Sequence, residues 1–222
     1  MKIFKKIITV VVVILTVRIF FVPNIGQKLS SQLSDFNSLL AGQVAKSMTK
    51  SAVKEDNTNK LSSDGIERVS QGRRLDNNYY YHFTNDVPDN FKRVFKEAIA
   101  RYNQTGIVKL TPGDADGKGN ELVLSVYYKQ KRGNSLLEEL GVGGPRIYPR
   151  MGLNGYDLNS GQAKLNAQYS PRLSVALHEI GHALGLDHSK LPNSIMYPLD
   201  QGRTTFSKQD LQTLEKIYSH DN

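Results

Sequence analysis

The sequence predicts an α+β fold, preceded by an apolar N-terminal segment and a polar stem. Short aromatic and aliphatic runs typical of strands alternate with segments whose apolar residues recur every three to four positions, as on one face of a helix. The strand-like runs all fall in residues 77–222, which we assign to the folded body. The 222-residue chain therefore divides into an apolar segment at 1–26, a stem, linker or short pro-segment at 27–76, and this body.

The composition excludes several classes of protein. The chain has no cysteine, which excludes a disulfide scaffold, thiol catalysis, iron–sulfur clusters and cysteine-bound zinc. Any metal must therefore be held by His, Asp or Glu. The formal net charge is +8, but the basic excess is concentrated in residues 1–76, so the body offers no basic surface for nucleic acid. An N-terminal arm that binds polyanions remains an alternative role for the basic third of the chain.

The N-terminal segment has the pattern of an export signal. Three lysines in the first six residues precede an apolar stretch at 7–22, which Arg18 interrupts and Pro23 ends. As a helix this stretch spans about 24 Å, less than the ~30 Å core of a bilayer. No Ala-x-Ala-like cleavage site follows it, so we interpret it as an uncleaved membrane anchor, with a secreted product as the alternative. The excess of positive charge at the N-terminus then places residues 27–222 on the extracellular face of the membrane.

The stem combines a helical stripe with a polar linker. Its apolar residues recur every three to four positions and favour a short amphipathic helix; they are Leu29, Leu33, Phe36, Leu40, Val44 and Met48. An inhibitory pro-segment that covers an active site is the alternative interpretation. Residues 50–76 are polar and predict a linker.

The body contains four predicted strands, three predicted helices and one long loop. The strands are expected at 79–84, 107–110, 121–128 and 163–168, the last of which alternates weakly and suits an edge strand. The helices are expected to open at Pro88, at Ser170 followed by Pro171, and at a capping box from Ser207 to Asp210. Residues 133–161 hold seven glycines and predict an irregular loop, which in a compact body is more often functional than accidental.

A cluster of histidines carries the chemistry of the body. His178 and His182 lie one turn apart on one face of the predicted helix, so both imidazoles can reach a single ion. A catalytic zinc needs three protein ligands, and Gly185 lets the backbone leave the helix in a left-handed turn that returns His188 to the metal. Glu179, beside the first histidine, can serve as the general base that activates water. The spacing predicts one catalytic zinc.

Two other interpretations of this cluster are less favoured. A buried helix that carries histidines by chance would place three of the five histidines at ligand spacing by accident. A purely structural zinc leaves Glu179 without a role.

This stretch resembles the metzincin zinc endopeptidases, and among them the matrixins. The matching residues are HEIGHALGLDHS at 178–189, with Ser189 after the third histidine as in matrixins. Met196 follows in the sequence SIMYP and resembles the metzincin Met-turn, a tight turn that places a methionine beneath the metal ligands. The resemblance covers residues 77–222 and is specific in 170–200.

The resemblance implies a fold and a substrate site. Metzincins have a twisted mixed sheet with one antiparallel edge strand, along which the substrate backbone binds by strand addition, and residues 163–168 lie at the matching place. The family also implies that Pro198 and Leu199 form a wall of the pocket for the substrate residue after the scissile bond, with Ser174 at its base.

The sequence departs from the matrixin pattern in its metal sites and latency. Matrixins keep themselves latent with a pro-segment cysteine, and this chain has none. Residues 129–169 contain no histidine, so we expect no second, structural zinc. Oxygen ligands for Ca²⁺ are present in glycine-rich loops, although a solvated turn is the favoured interpretation; they are Asp114, Asp116, Asn120, Glu121 and Asp157. Tyr197 directly follows Met196 and is not placed like the extra tyrosine ligand of astacins.

The function predicted from the sequence is a zinc-dependent endopeptidase that hydrolyses extracellular proteins. Zinc on the three histidines activates water, and Glu179 accepts the proton and passes it to the leaving amine. The expected partners are a protein or peptide substrate and a membrane contacted through residues 7–22, without nucleic acid. A non-catalytic zinc-binding or adhesion module on the same fold is the alternative, which the intact Glu179 disfavours.

Overall fold

The computed structural model describes residues 64–130, 139–150 and 155–219. These residues belong to the compact unit Asn59–Asn222. The predicted anchor at 7–22 and the apolar stripe of the stem lie outside the described residues and stay predictions. In the described part of the chain, none of the helices has the length and apolar character needed to cross a bilayer.

The described residues form six strands and three helices, preceded by a short 3-10 helix at Arg68–Ser70. In chain order the elements are β1 (Asn78–Phe83), α1 (Asp89–Gln104), β2 (Lys109–Pro112), β3 (Asn120–Tyr127), β4 (Gly141–Gly144), β5 (Ile147–Tyr148), β6 (Leu158–Asn166), α2 (Leu173–Ala183) and α3 (Lys208–Tyr218). The three predicted helices and the strands predicted near 79, 107 and 121 are all present.

The strands form one mixed sheet. Its order is β2-β1-β3-β6-β4, with β5 also paired to β6. The pairs β1–β2, β1–β3 and β3–β6 are parallel, whereas β4 and β5 run antiparallel to β6. This arrangement confirms a mixed sheet with an antiparallel edge strand and three helices.

The position of the edge strand was predicted wrongly. Residues 163–166 belong to β6, which lies inside the sheet between β3 and β4, and the antiparallel edge strand is β4 at Gly141–Gly144. The predicted loop at 133–161 therefore contains β4, β5 and the start of β6. The sequence Gly-Val-Gly-Gly has low strand propensity, so backbone pairing to β6 rather than side-chain preference makes it a strand.

Two of the three helices start where they were predicted, α1 after Pro88 and α3 after Ser207. The capping box of α3 is confirmed: Ser207 Oγ accepts a hydrogen bond from the Asp210 amide, and the Asp210 carboxylate accepts one from the Ser207 amide. The predicted start of α2 at Ser170 was wrong. Arg172 occupies the N-cap position with an extended backbone, and its guanidinium pairs with Asp200 at 3.0 Å.

Buried hydrogen bonds hold helix α2 against the rest of the body. The hydroxyl of Tyr102 on α1 donates to the carbonyl of Leu177, and the hydroxyl of Tyr218 on α3 donates to the carbonyl of Leu184. The side-chain amide of Asn159 on β6 donates to the carbonyl of Ala183. Because buried carbonyl groups at a helix end need partners, these bonds fix the height and rotation of α2 above the sheet.

Candidate metal centre

Helix α2 carries two histidine rings, and the Nδ1 atom of each is hydrogen-bonded to a backbone carbonyl. Nδ1 of His178 lies 2.7 Å from the carbonyl oxygen of Ile195, and Nδ1 of His182 lies 2.9 Å from that of Leu186. A carbonyl oxygen can only accept, so each Nδ1 carries a proton and donates it. When such a ring is neutral, its Nε2 therefore carries a bare lone pair, the form in which imidazole binds a metal.

The third histidine reaches the same point because the chain reverses after α2. Gly185 has a φ of 102°, in the left-handed region that glycine adopts without strain. Its amide donates to the carbonyl of His182, and the amide of Leu186 donates to that of Gly181, which together form a Schellman motif. The predicted left-handed turn is therefore present, and it directs residues 186–188 back beneath the helix.

The three rings converge on one point. Nε2 of His182 lies 3.1 Å from Nε2 of His178 and 3.2 Å from Nε2 of His188, and one nitrogen from each ring falls within 4.8 Å of the others. Ligands at tetrahedral positions 2.0–2.1 Å from zinc are separated by about 3.3 Å. Facing lone pairs at these distances repel unless a cation lies between them. The donor set thus fits a zinc ion, with a fourth position left for water or substrate.

The electrostatics of the rings favour neutral imidazoles at two of the three positions. Burial, together with the neighbouring His182, lowers the pKa of His178 to about 3 and that of His188 to about 4. At His182 burial acts in the same direction, but the carboxylates of Glu67, Glu179 and Asp187 outweigh it and raise the pKa. These acidic groups supply the negative charge that a bound divalent cation would balance.

Glu179 lies beside the histidines in a nearly water-free position. Its side chain is 6% exposed, and burial, with a smaller contribution from Glu139, raises its pKa to about 7 against the opposing effect of His182. The carboxylate lies over the backbone of Gly141 on β4, where a Cβ added to the glycine would come within 2.5 Å of Cγ and Oε1. The edge strand therefore forms one wall around this carboxylate.

Met196, which the sequence predicts to form a Met-turn, packs against Gly181 of helix α2. It is 1% exposed, and its sulfur occupies the space where a Cβ on Gly181 would fall. The turn is fixed by Asp210 of α3, whose carboxylate accepts hydrogen bonds from the Ser194 hydroxyl at 2.5 Å and from the Ile195 amide at 3.1 Å. Since the carbonyl of Ile195 lies at Nδ1 of His178, the turn connects Asp210 to the histidine triad.

The residues expected to form the substrate pocket lie on the first turn of α2 and in the loop after Met196. Ser174 is buried on the first turn of α2, and its hydroxyl hydrogen-bonds to the carboxylate of Asp200. Asp200 also accepts bonds from the amide of Gly202 and from Arg172, and although burial opposes them these bonds lower its pKa. Pro198 and Leu199 are half-buried in the same loop.

Four of the five oxygen ligands considered for Ca²⁺ have side chains engaged in hydrogen bonds or ion pairs; they are Asp114, Asn120, Glu121 and Asp157. Asp114 accepts from the amide of Asp116, and Asp157 pairs with Arg73 at 3.5 Å. Asn120 is buried and bonds through its amide group to the backbone of neighbouring segments. Across the described ranges, the histidine triad is the one cluster of three or more His, Cys, Asp or Glu groups positioned to share an ion.

Three residues that contact this centre could not be identified from the sequence. They are Glu67 at His182, Gly141 at Glu179 and Asp210 at the Met-turn. The capping box in the sequence predicted that Asp210 lies at the start of a helix, but it did not predict the contact of Asp210 with the turn. Glu67 was assigned to the polar linker, and no local pattern connects it to a histidine 115 residues away.

Fold and site together define a metallopeptidase-like domain with a three-histidine centre, and the comparison with known proteins agrees. The Matrixin family model matches residues 74–219, and the chain belongs to this peptidase family. Metalloendoproteinase 5-MMP of Arabidopsis thaliana is 23% identical over 217 residues, covering 83% of this chain and 60% of that protein. Matrilysin of Mus musculus is 29% identical over 143 residues, covering 61% of this chain and 47% of its own length.

A shorter match shows a higher sequence identity. Matrilysin of Rattus norvegicus is 44% identical over 54 residues, or 22% of this chain and 20% of that protein. The chain thus spans at most 60% of the length of these relatives. Membership of the family supports zinc binding and a protein substrate at the level of the family.

Proposed function

We propose that this protein is a zinc-dependent endopeptidase. The observation that carries the proposal is the convergence of three histidine rings beside the buried carboxylate of Glu179, with Nε2 of His182 3.1 Å from that of His178 and 3.2 Å from that of His188. When bound by His178, His182 and His188, zinc would supply a Lewis acid that activates water and polarises the scissile carbonyl.

The chain's own residues prepare the centre for this chemistry. The carbonyls of Ile195 and Leu186 keep Nδ1 of His178 and His182 protonated, so both Nε2 lone pairs point to the metal position. The carboxylate of Glu179 is held between α2 and β4, where it accepts a proton from water and delivers it to the leaving amine. Its burial keeps bulk water from competing for that proton.

The substrate would bind along the outer edge of β4. This strand ends the sheet, and Val142 is 47% exposed, so an extended peptide could add there and lie beside Glu179. We place the residue after the scissile bond in a pocket walled by Pro198 and Leu199 with Ser174 at its base. The apolar segment at 7–22 would anchor the enzyme on the extracellular face of the membrane, or direct its secretion.

The test compares the full chain with its Glu179→Gln variant on an unfolded protein substrate. We expect the variant to retain its zinc and to lose hydrolysis by a factor of about 10² or more, because the amide cannot accept the proton. Glu97→Gln, which changes an exposed carboxylate on α1, serves as the matched control and should cleave like the wild type. Equal rates for the Glu179→Gln variant and wild type would refute the assigned base.

A wild-type protein that holds zinc but cleaves nothing across a broad peptide library would support the binding-module alternative. The location is tested separately by cell fractionation and by mass spectrometry of the N-terminus of the native protein. Recovery of the intact N-terminus in the membrane fraction supports an anchor, whereas a soluble form that begins after residue 26 supports secretion.

A further inference from the structure

A segment that precedes the matched family region is paired with the loop that carries the third histidine. The amide of Glu67 donates to the carbonyl of Gly185, and the amide of Asp187 donates to that of Gly65, both at 2.8 Å. Ile66 and Leu186 thereby form an antiparallel bridge, and both side chains are buried in the core. Residues 65–67 are thus paired with residues 185–187 by two backbone hydrogen bonds.

The same segment brings a carboxylate to a histidine ring. Oε1 of Glu67 lies 3.0 Å from Nδ1 of His182, so the ring shares its one Nδ1 proton between this carboxylate and the carbonyl of Leu186. The side chain of Glu67 is 28% exposed and that of His182 is 9% exposed. A partly buried charge-assisted bond of this kind is stronger than the bond to the carbonyl alone.

The 3-10 helix that follows keeps Glu67 in place. The amide of Ser70 donates to the carbonyl of Glu67, and the side-chain amide of Gln71 donates to that of Ile66. Ser70 is buried against Gly185, where a Cβ added to the glycine would meet its Oγ at 3.0 Å. Residues on both sides of Glu67 are therefore held in place by hydrogen bonds and packing. The contact between Glu67 and His182 does not depend on one long exposed side chain alone.

We propose that Glu67 is a positioning residue of the metal centre. Its carboxylate fixes the rotation of His182 and increases the basicity of Nε2, while the pairing of residues 65–67 with 185–187 fixes the loop that delivers His188. The functional unit then begins before residue 77, and any cut that matures the protein must leave residues 64–70 attached. This inference rests on the metal-binding part of the proposed function.

The test measures metal affinity on the full chain by competition with a chromophoric chelator. We expect Glu67→Ala to weaken zinc binding about 10- to 100-fold, with Glu67→Gln intermediate because its amide oxygen still accepts a bond without the negative charge. Val69→Ala is the matched control, because it truncates an exposed side chain in the same 3-10 helix. It should bind zinc like the wild type.

A second readout separates positioning from general stabilisation. With Co²⁺ in place of zinc, Glu67→Ala should shift the visible ligand-field bands if His182 rotates. The proposal would be overturned if folded Glu67→Ala or Glu67→Gln protein had both the zinc affinity and the Co²⁺ spectrum of the wild type. A lower melting temperature would not change that conclusion. The His178→Ala variant shows which proposal has failed. If His178→Ala binds zinc normally, the proposed metal centre is wrong. If His178→Ala loses zinc while Glu67→Ala behaves like the wild type, only the role of Glu67 is refuted.

Discussion

The backbone of Gly143 on the edge strand lies against the carbonyl oxygen of Glu179 on helix α2. A Cβ built on Gly143 would overlap that oxygen and lie 3.0 Å from the carbonyl carbon and Cα of Glu179. The edge strand and the helix that carries Glu179 are therefore in backbone contact, and this spacing is possible only because residue 143 has no side chain.

Gly143→Ala should destabilise the fold. The clash is with backbone atoms, which cannot rotate away, so strand and helix must separate at a cost of about 1–3 kcal/mol. Gly144→Ala is the matched control, since its Cβ would meet nothing within 4 Å. Thermal unfolding of the two variants checks this. Equal melting temperatures would show that the strand does not pack as described.

Gly141→Ala should act on activity rather than on the fold. Here a Cβ would meet the side chain of Glu179, at 2.5 Å from Cγ and Oε1, and a side chain can move where a backbone cannot. Displacement of the carboxylate should lower kcat at least tenfold while zinc content stays unchanged. Peptide hydrolysis and elemental analysis of one preparation measure both quantities. A wild-type kcat in this variant would contradict the close contact between β4 and the side chain of Glu179.

The convergence of the three histidines could be predicted because its geometry is local. Eleven consecutive residues place two rings on one helical face and turn the third back at Gly185, so helix periodicity and one left-handed residue determine their meeting point. The helices were similarly predictable from their apolar spacing. The start of α2 was misplaced because Ser170 and Pro171 suit a helix start, whereas the ion pair of Arg172 with Asp200 depends on the tertiary fold.

The contacts that support the ligands could not be predicted, because they join distant segments. Glu67 reaches His182 across 115 residues, and Asp210 reaches Ile195 across 15. The edge strand was missed for a related reason. A glycine-rich strand has no side-chain alternation to detect. Burial does alternate along β6, but alternation reports the two faces of a strand and does not reveal whether its two edges are paired.

Asp210→Ala should weaken both the fold and the metal centre. The carboxylate is 4% exposed and accepts bonds from the Ser194 hydroxyl and from the amides of Ile195 and Ser207. Each buried donor left unpaired costs about 1–3 kcal/mol. Chemical denaturation should therefore show a large loss of stability. Asp89→Ala, which removes a fully exposed carboxylate on α1, is the control and should lower the stability far less than Asp210→Ala.

The effect of Asp210 on the metal should follow from the turn. If the 194–196 backbone shifts, the carbonyl of Ile195 no longer holds Nδ1 of His178, and zinc affinity should fall in the folded variant. Retention of wild-type affinity together with lost stability would restrict Asp210 to a purely structural role.

His178→Ala should abolish stoichiometric zinc binding. Three converging nitrogens predict one zinc per chain, and removal of one leaves two ligands, which hold the ion far less tightly. His82→Ala is the matched control, because His82 lies on β1 outside the triad. Elemental analysis after dialysis should give one zinc for the wild type and His82→Ala, and close to none for His178→Ala. Two zinc ions per wild-type chain, or equal content in all three proteins, would refute the single centre.

Zinc should also stabilise the folded wild type by mass action, because the three nitrogens meet only in the folded chain. At a free zinc concentration 100 times the dissociation constant, the gain is about 2.7 kcal/mol, which a chelator should remove. The melting temperatures of wild type and His82→Ala should therefore fall when the chelator is added. That of His178→Ala should not change, because it has no bound zinc to lose. If the melting temperature of His178→Ala fell by the same amount, the stabilising ion would be bound elsewhere. The histidine cluster would then not be the metal site of the protein.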